Sequence, residues 1–221
     1  MPDQILPDLE TLDAATARLS ATCADVDDAT ARRPSLLPGW SVGHVLTHVA
    51  RNADGMVNLV TWAVTGDPTP MYASMDARNA AIEEGAGRLA DVLVADVRDS
   101  AARLRARLDD LVGAGPEALD RLVLFGAPPP GTEPDTPAGT LPYARLRELE
   151  IHHVDLGLPS YTPADWPDAF VERTLLFVHA RSGPVDVVGE PADVLAWRLG
   201  RGAAASVRRT DGSDPDDPPA W

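Results

Sequence analysis

Two histidines and one glutamate have the types and spacing to hold a metal ion. Glu148 and His152 lie four residues apart, so on a helix both side chains project from one face and can reach the same cation. His48 lies in another segment of helical periodicity, on or beside its apolar stripe, where a helical bundle would turn it inward. Two imidazole nitrogens and one carboxylate suit zinc or a similar divalent ion and leave one coordination position open, as in catalytic zinc sites.

Spacing alone leaves other interpretations of these residues open. A glutamate and a histidine four residues apart occur often by chance on helices, and an inward histidine is more commonly a satisfied core residue than a ligand. His44, one turn before His48, could replace or join it. His153 is about 100° around the helix from His152 and should point elsewhere, whereas Asp155 could orient His152 or face water.

The elements that must position these residues are predicted from apolar periodicity. Residues 9–28, 42–65, 89–112 and 141–156 each repeat apolar or small side chains at helical spacing. Ser41 and Thr140 are predicted to cap the second and fourth of these helices, which glycines at positions 66 and 157 should end. The pattern indicates that His48 lies on the second helix and that Glu148 and His152 lie on the fourth.

The rest of the chain predicts a smaller second domain. Residues 126–139 hold too many prolines and glycines for a helix or a central strand and should form a loop or crossover. Beyond residue 160, we expect a helix over 169–181, a short β-type run, and a helix near 194–199. The fold class is therefore mainly α, with a helical bundle over residues 1–158 and a small C-terminal α/β domain over 159–221.

Composition excludes several classes of partner. The 221 residues include 34 acidic and 19 basic side chains, for a net charge of -15, so nucleic acid and anionic membrane surfaces would be repelled. No segment reaches about 18 uninterrupted apolar residues, which argues against a membrane span. A single cysteine, Cys23, and an N-terminus without a signal pattern predict a cytoplasmic protein. We expect a monomer or a weak dimer.

Several segments resemble one known family. "GWSVGHVLTHVARNADGMVNLV" at 39–60, "MDARNAAIEEGAGR" at 75–88, "RLRELEIHHVDLG" at 145–157, and "VLAWRLGR" with "DPPAW" near the C-terminus are similar to the mycothiol-dependent maleylpyruvate isomerase family. That family lies within the DinB-like four-helix metalloprotein superfamily. The likeness covers nearly the whole chain, and it implies a DinB-like four-helix bundle with a C-terminal domain.

The resemblance also implies a reaction. The family's metal ligands fall on His48, Glu148 and His152, and its arginine important for activity falls on Arg201. A metal-bound mycothiol thiolate would add to maleylpyruvate, allow rotation about the resulting single bond, and leave to give fumarylpyruvate. Arg201 would clamp a substrate carboxylate, and Arg78 is a weaker candidate for contact with substrate or thiol. A surface ion pair between Arg78 and Asp76 or Glu83 is the competing expectation.

Two further functions stay open on sequence. A mycothiol S-transferase that joins the thiol to electrophiles or to a biosynthetic intermediate would use the same metal and thiol. A metal-binding module without catalysis is also conceivable, because a fold does not fix its function. A second cationic group near Arg201 would favour a dicarboxylate substrate, whereas an apolar mouth would favour a bulky electrophile.

Overall fold

The computed structural model describes residues 2–129, 131–202 and 206–216. Within it the chain packs into two compact units, Met1–Leu156 and Gly157–Trp221. The "DPPAW" motif at 217–221 lies outside the described residues. The two predicted metal-bearing segments both belong to the first unit.

The first unit is a helical bundle, as predicted. Its helices are α1 (Pro2–Cys23), α2 (Asp28–Ala31), α3 (Val42–Thr65), α4 (Met75–Ala86), α5 (Ala90–Gly113), α6 (Pro116–Asp120) and α7 (Leu141–Asp155). The long helices α1, α3, α5 and α7 form the bundle, in which α3 packs on α5 and α7, and α1 packs on α7 and α5. Two short antiparallel strands, β1 (Leu122–Val123) and β2 (Thr136–Pro137), join the last two helices.

Helix α3 has the bounds that its sequence predicts. The Ser41 side chain accepts a hydrogen bond from the backbone N–H of His44, which satisfies a free donor of the first turn. Gly66 ends the helix with a φ of 84°, a left-handed conformation that glycine adopts without steric cost. Between these caps the stripe of Val45, Leu46 and their helical neighbours is fully buried.

Helix α7 differs from its prediction at the N-terminus. Thr140 has helical dihedral angles and makes no capping bond. Its hydroxyl donates instead to the carbonyl of Pro137, at 2.7 Å. A short 3₁₀ turn, Ala138–Thr140, precedes α7, so the chain enters the helix already coiled and the threonine is not in the extended conformation of a cap. Thr140 therefore occupies the predicted N-cap position without the expected capping bond, and Pro142 lies in the first turn as expected.

The short helix α4 packs closely against α3. A Cβ added at Gly43 of α3 would collide with the Ala86 carbonyl oxygen, and one added at Gly85 of α4 would lie 2.5 Å from Thr47 Cγ2. Close approach of the two backbones therefore requires glycine at both positions. Helix α4 was not predicted, because it buries only Ile82, Gly85 and Ala86 and so lacks a periodic apolar stripe.

The second unit mixes helices with a two-stranded sheet. Its elements are a 3₁₀ turn (Pro163–Asp165), α8 (Asp168–Ser182), β3 (Val187–Val188), α9 (Pro191–Arg198) and β4 (Arg208–Arg209). Strands β3 and β4 are antiparallel. Trp166, Phe170, Val178, Leu195 and Trp197 are buried in this unit. The predicted helices over 169–181 and 194–199 are confirmed, with α9 beginning three residues earlier because Pro191 suits a first turn.

The helices of the described ranges do not include a membrane span. None combines the length and the apolar composition that crossing a bilayer requires.

Candidate metal centre

Three side chains from α3 and α7 converge on one point. His48 Nε2 lies 3.0 Å from His152 Nε2 and 3.3 Å from Glu148 Oε2. His152 Nε2 lies 3.5 Å from the same carboxylate oxygen. Over the residues that the structure describes, no other three His, Cys, Asp or Glu side chains bring possible ligand atoms so close together. The structure thus assembles the three residues proposed as ligands.

The triangle of these atoms has the dimensions of a zinc site. Tetrahedral zinc with bonds of about 2.0–2.1 Å separates its ligand atoms by about 3.3 Å, and the sides here are 3.0, 3.3 and 3.5 Å. Two imidazole nitrogens and a carboxylate oxygen are also donors that zinc and similar divalent ions accept. Three ligands leave a fourth tetrahedral position for a small molecule.

The protonation states of His48 and Glu148 suit a cation. Burial, followed by the charge of His152, lowers the pKa of His48 to about 4, so this ring is neutral at neutral pH. Burial would raise the pKa of Glu148, but hydrogen bonds from His152 and His48 hold it well below its ordinary value. The site therefore presents an anionic carboxylate beside a neutral imidazole, and both are ligand forms.

Asp155 orients His152. Its side chain is fully buried, and its Oδ2 accepts from His152 Nδ1 at 2.8 Å. This contact holds a proton on Nδ1 and directs Nε2 at the cluster, where its lone pair can ligate a cation once Nε2 has lost its own proton. Burial lowers the pKa of His152, but the hydrogen bonds to Asp155 and Glu148 outweigh it and hold this pKa above the ordinary value. Of the two expectations for Asp155, the structure shows the orienting contact.

Helix α4 brings Arg78 to the far side of the His48 ring. Arg78 Nη2 lies 3.0 Å from His48 Nδ1, and Nη1 donates to Asn79 Oδ1 at 2.9 Å. Its guanidinium also stands 5.9 Å from the centroid of the Tyr72 ring. No ion pair between Arg78 and an acidic side chain is found in the described part of the chain. Arg78, which the sequence analysis names as a candidate for contact with substrate or thiol, therefore lies beside the ligand cluster.

The remaining histidines near the ligands do not join the cluster. His44 Nδ1 lies 2.7 Å from Ser41 Oγ, and its Nε2 lies 3.3 Å from Glu83 Oε2. His153 Nε2 lies 2.8 Å from Thr22 Oγ1 on α1. Both rings therefore serve helix capping and helix packing.

Arg201 belongs to the second unit. It follows α9, and its Nη1 donates to the Leu199 carbonyl at 2.6 Å. Both residues of this hydrogen bond belong to the second unit.

Three residues beside the cluster were not anticipated from sequence. Asn52 follows His48 by one helical turn, and Arg145 precedes Glu148 by three residues, so both lie on ligand-bearing faces. The Trp40 ring meets the edge of His48 at 5.7 Å between centroids. The helical spacing of Asn52 and Arg145 from the ligands was a usable signal, whereas Trp40 lies in a loop and gave none.

Comparison with known proteins identifies the family. Residues 12–157 match the family described as "Mycothiol maleylpyruvate isomerase N-terminal domain". The chain belongs to this family. A search among curated proteins finds no match.

Two solved structures share the fold of this family member over nearly its full length. The chain is 28% identical to the structure named "Crystal structure of the mycothiol-dependent maleylpyruvate isomerase", with a TM-score of 0.86, covering 98% of this chain and 97% of the other. A structure of a histidine-to-alanine mutant of that isomerase has the same identity and coverage and a TM-score of 0.85. The DinB-like, mainly α fold expected from the resemblance is confirmed.

Proposed function

We propose that this protein is a metal- and mycothiol-dependent isomerase that converts maleylpyruvate to fumarylpyruvate. The observation that carries the proposal is the convergence of His48, Glu148 and His152 with one coordination position open. The full-length likeness to the isomerase structures supports the substrate. No feature of the comparisons favours thiol transfer to an electrophile or a module without catalysis.

The ligand cluster supplies the thiol chemistry. A divalent metal, zinc foremost, would act when bound as a Lewis acid that lowers the pKa of a thiol at the open position. His152 is aimed by Asp155, and the buried His48 is fixed against Trp40. These contacts limit the motion of the ligands, so the open position keeps one direction.

The isomerisation balances without another reactant. The thiolate sulfur forms a bond to one carbon of the cis double bond, and the electron pair moves onto the conjugated carbonyl oxygen. Rotation about the resulting single bond follows. Return of the electron pair expels the thiolate and restores the double bond in the trans form. The protein's part is to hold both carboxylates while the bond rotates.

We assign Arg78 to one of those carboxylates. Its contact with His48 Nδ1 requires that this nitrogen carry no proton. When Nε2 of a neutral imidazole ligates a cation, the proton belongs on Nδ1, and the guanidinium can no longer donate there. Arg78 is then available to an anion beside the centre. This exchange gives the arginine a role in substrate contact without any further rearrangement of α4.

We assign the second carboxylate clamp to Arg201, on the basis of the family resemblance around "AWRLGR". The reaction needs mycothiol and a small-molecule substrate and no macromolecular partner. A reduced thiol and the buried, unpaired Cys23 fit a reducing cytoplasm.

The test is an assay of purified, zinc-reconstituted protein with maleylpyruvate and mycothiol. We expect formation of fumarylpyruvate that stops when either the metal is chelated or the thiol is omitted. Arg201→Lys, which keeps the charge but loses the paired hydrogen bonds, should raise KM for maleylpyruvate and leave zinc content unchanged. Stoichiometric zinc without isomerisation would refute the proposed substrate.

A further inference from the structure

Arg145 is a buried cation without a carboxylate partner. Its side chain is 1% exposed and crosses from α7 to α3, where Nη1 donates to the Val49 carbonyl at 2.9 Å and to Asn52 Oδ1 at 2.7 Å. Nη2 is buried without a hydrogen-bond partner. Among the described residues, no carboxylate forms an ion pair with this guanidinium.

An unpaired charge in the core is costly, so its retention calls for a physical reason. Burial lowers the pKa of Arg145 to about 10, and the group is still a cation at neutral pH. An uncharged donor could make the same hydrogen bonds to the two neutral acceptors, the Val49 carbonyl and Asn52 Oδ1. The positive charge itself is therefore the property to explain.

The position of Arg145 relates it to the metal centre. It precedes Glu148 by three residues on α7, and its acceptors Val49 and Asn52 follow His48 by one and four residues on α3. Side chains at these spacings are neighbours on a helix. The carboxylate of Glu148 is also the first electrostatic influence that favours the charged form of Arg145. The guanidinium thus joins the two ligand-bearing turns.

The charge balance of the proposed reaction gives a reason for the positive charge of Arg145. Glu148 supplies the one negative charge of the ligand set, so a divalent ion leaves the centre with one positive charge. A thiolate cancels it, and a substrate with two carboxylates then adds two negative charges. A fixed cation between the two ligand-bearing helices offsets part of this negative charge without reorganising during the reaction.

We propose that Arg145 is a positioning residue that biases the metal centre toward anionic ligands at the expense of affinity for the metal. This inference rests on the proposed metal-dependent function. The hydrogen bonds to α3 hold the ligand turns together, and the positive charge repels a divalent ion while it attracts an anion at the open position.

Three variants of the full chain separate charge from packing. Arg145→Met removes the charge and keeps most of the side-chain volume. Arg145→Lys replaces the guanidinium with a smaller ammonium group. Asn52→Asp leaves Arg145 in place but gives it a carboxylate partner at the position where Asn52 Oδ1 now accepts. Zinc affinity is measured by competition with a chromophoric chelator, and azide affinity is measured from the visible spectrum of the cobalt-loaded protein.

The expected changes have opposite signs. Arg145→Met and Asn52→Asp should each bind zinc at least about tenfold more tightly and azide roughly tenfold more weakly, because a positive charge near the centre repels the cation and attracts the anion. Arg145→Lys should fall between the wild type and Arg145→Met in both affinities, since a buried ammonium loses its proton more readily than a guanidinium.

If Arg145→Met lost affinity for both zinc and azide and had a lower melting temperature, the role of Arg145 would be structural only and the proposal would be overturned. Asn52→Asp decides the question if Arg145→Met does not fold, because it retains the arginine. A wild type that binds zinc but does not isomerise maleylpyruvate refutes the proposed substrate and leaves this test intact. A wild type that binds no zinc would overturn both.

Discussion

Helix α7 carries two glutamate–histidine pairs, and they meet very different partners. Glu148 and His152 face α3, where the opposing side chain is a third possible ligand, His48. Glu150 and His153 face α1, where Glu150 is paired with Arg18 and His153 is hydrogen-bonded to a threonine. The same two residue types therefore make a candidate metal site on one side of α7 and a packing seam on the other.

The facing helix decides which outcome occurs. On the α1 side, an arginine neutralises the carboxylate and a hydroxyl satisfies the imidazole, so no further ion is needed. On the α3 side, two imidazoles and a carboxylate converge, and their lone pairs can all be satisfied by one divalent cation. Residue type and helical spacing identify candidate ligands on one helix. Convergence of ligand atoms from two helices then distinguishes a metal site from a packing contact.

The largest expected difference between the two faces follows from removing one histidine on each. His152→Ala should abolish isomerisation and weaken zinc binding by more than the 10–100-fold typical of outer-shell changes, because a direct ligand is lost. His153→Ala should keep full zinc content and lose about 2–4 kcal/mol of stability, because a buried ring and its hydrogen bond are removed. Zinc per chain by elemental analysis and chemical denaturation measure the two effects.

Equal loss of zinc in the two variants would break the comparison, since it would mean that α7 acts as one unit. Retention of zinc by His152→Ala would contradict the site itself. Circular dichroism of both variants controls for misfolding.

The sequence predicted much of this difference, but not all of it. The apolar stripe and caps fixed the bounds of α3, and the four-residue spacing placed Glu148 and His152 on one face. It could not show that His153 meets Thr22, because such a contact joins residues distant in sequence. Helix α4, with its weak stripe, was missed for the same reason: its packing depends on glycine contacts with α3. The sequence therefore predicted for Arg78 a contact with substrate or thiol, or a surface ion pair, and not the contact with His48 that the structure shows.

A smaller effect is expected when the contact that aims His152 is altered. Asp155→Asn keeps the size of the side chain but replaces a carboxylate acceptor with an amide that can also donate. The proton on His152 Nδ1 is then less firmly fixed. Zinc affinity should fall about 10–100-fold, as measured by chelator competition. Asp155→Glu serves as a control that keeps the charge, and unchanged affinity in Asp155→Asn would show that the ring is held by packing alone.

The pKa values of the cluster predict how zinc affinity depends on pH. His152, whose pKa is raised, is protonated at pH 5–6, whereas His48, with a pKa of about 4, is not. Zinc binding should therefore release one proton there, and affinity should rise about tenfold per pH unit until the pH exceeds the pKa of His152. Calorimetry in buffers of different ionisation enthalpy counts the proton.

The same pKa values predict the opposite trend in the stability of the metal-free protein. The raised pKa of His152 stabilises the folded state below the unfolded value near 6.5, and this contribution is lost as the pH rises through the folded value. In the zinc-binding calorimetry at pH 5–6, release of two protons per zinc ion would contradict the assignment of His48 as the neutral ring.

The smallest expected effect on metal binding lies on the α1 face. Arg18→Met removes the cation that pairs with Glu150, whose side chain is 1% exposed, while Arg18 is about one-third exposed. Because solvent screens part of this pair, we expect a loss of about 1–3 kcal/mol of stability and zinc affinity within about twofold of the wild type. Arg18→Lys should recover part of the stability. A tenfold fall in zinc affinity would instead show that the packing seam and the metal centre are coupled through α7, since the substitution changes nothing on the α3 side.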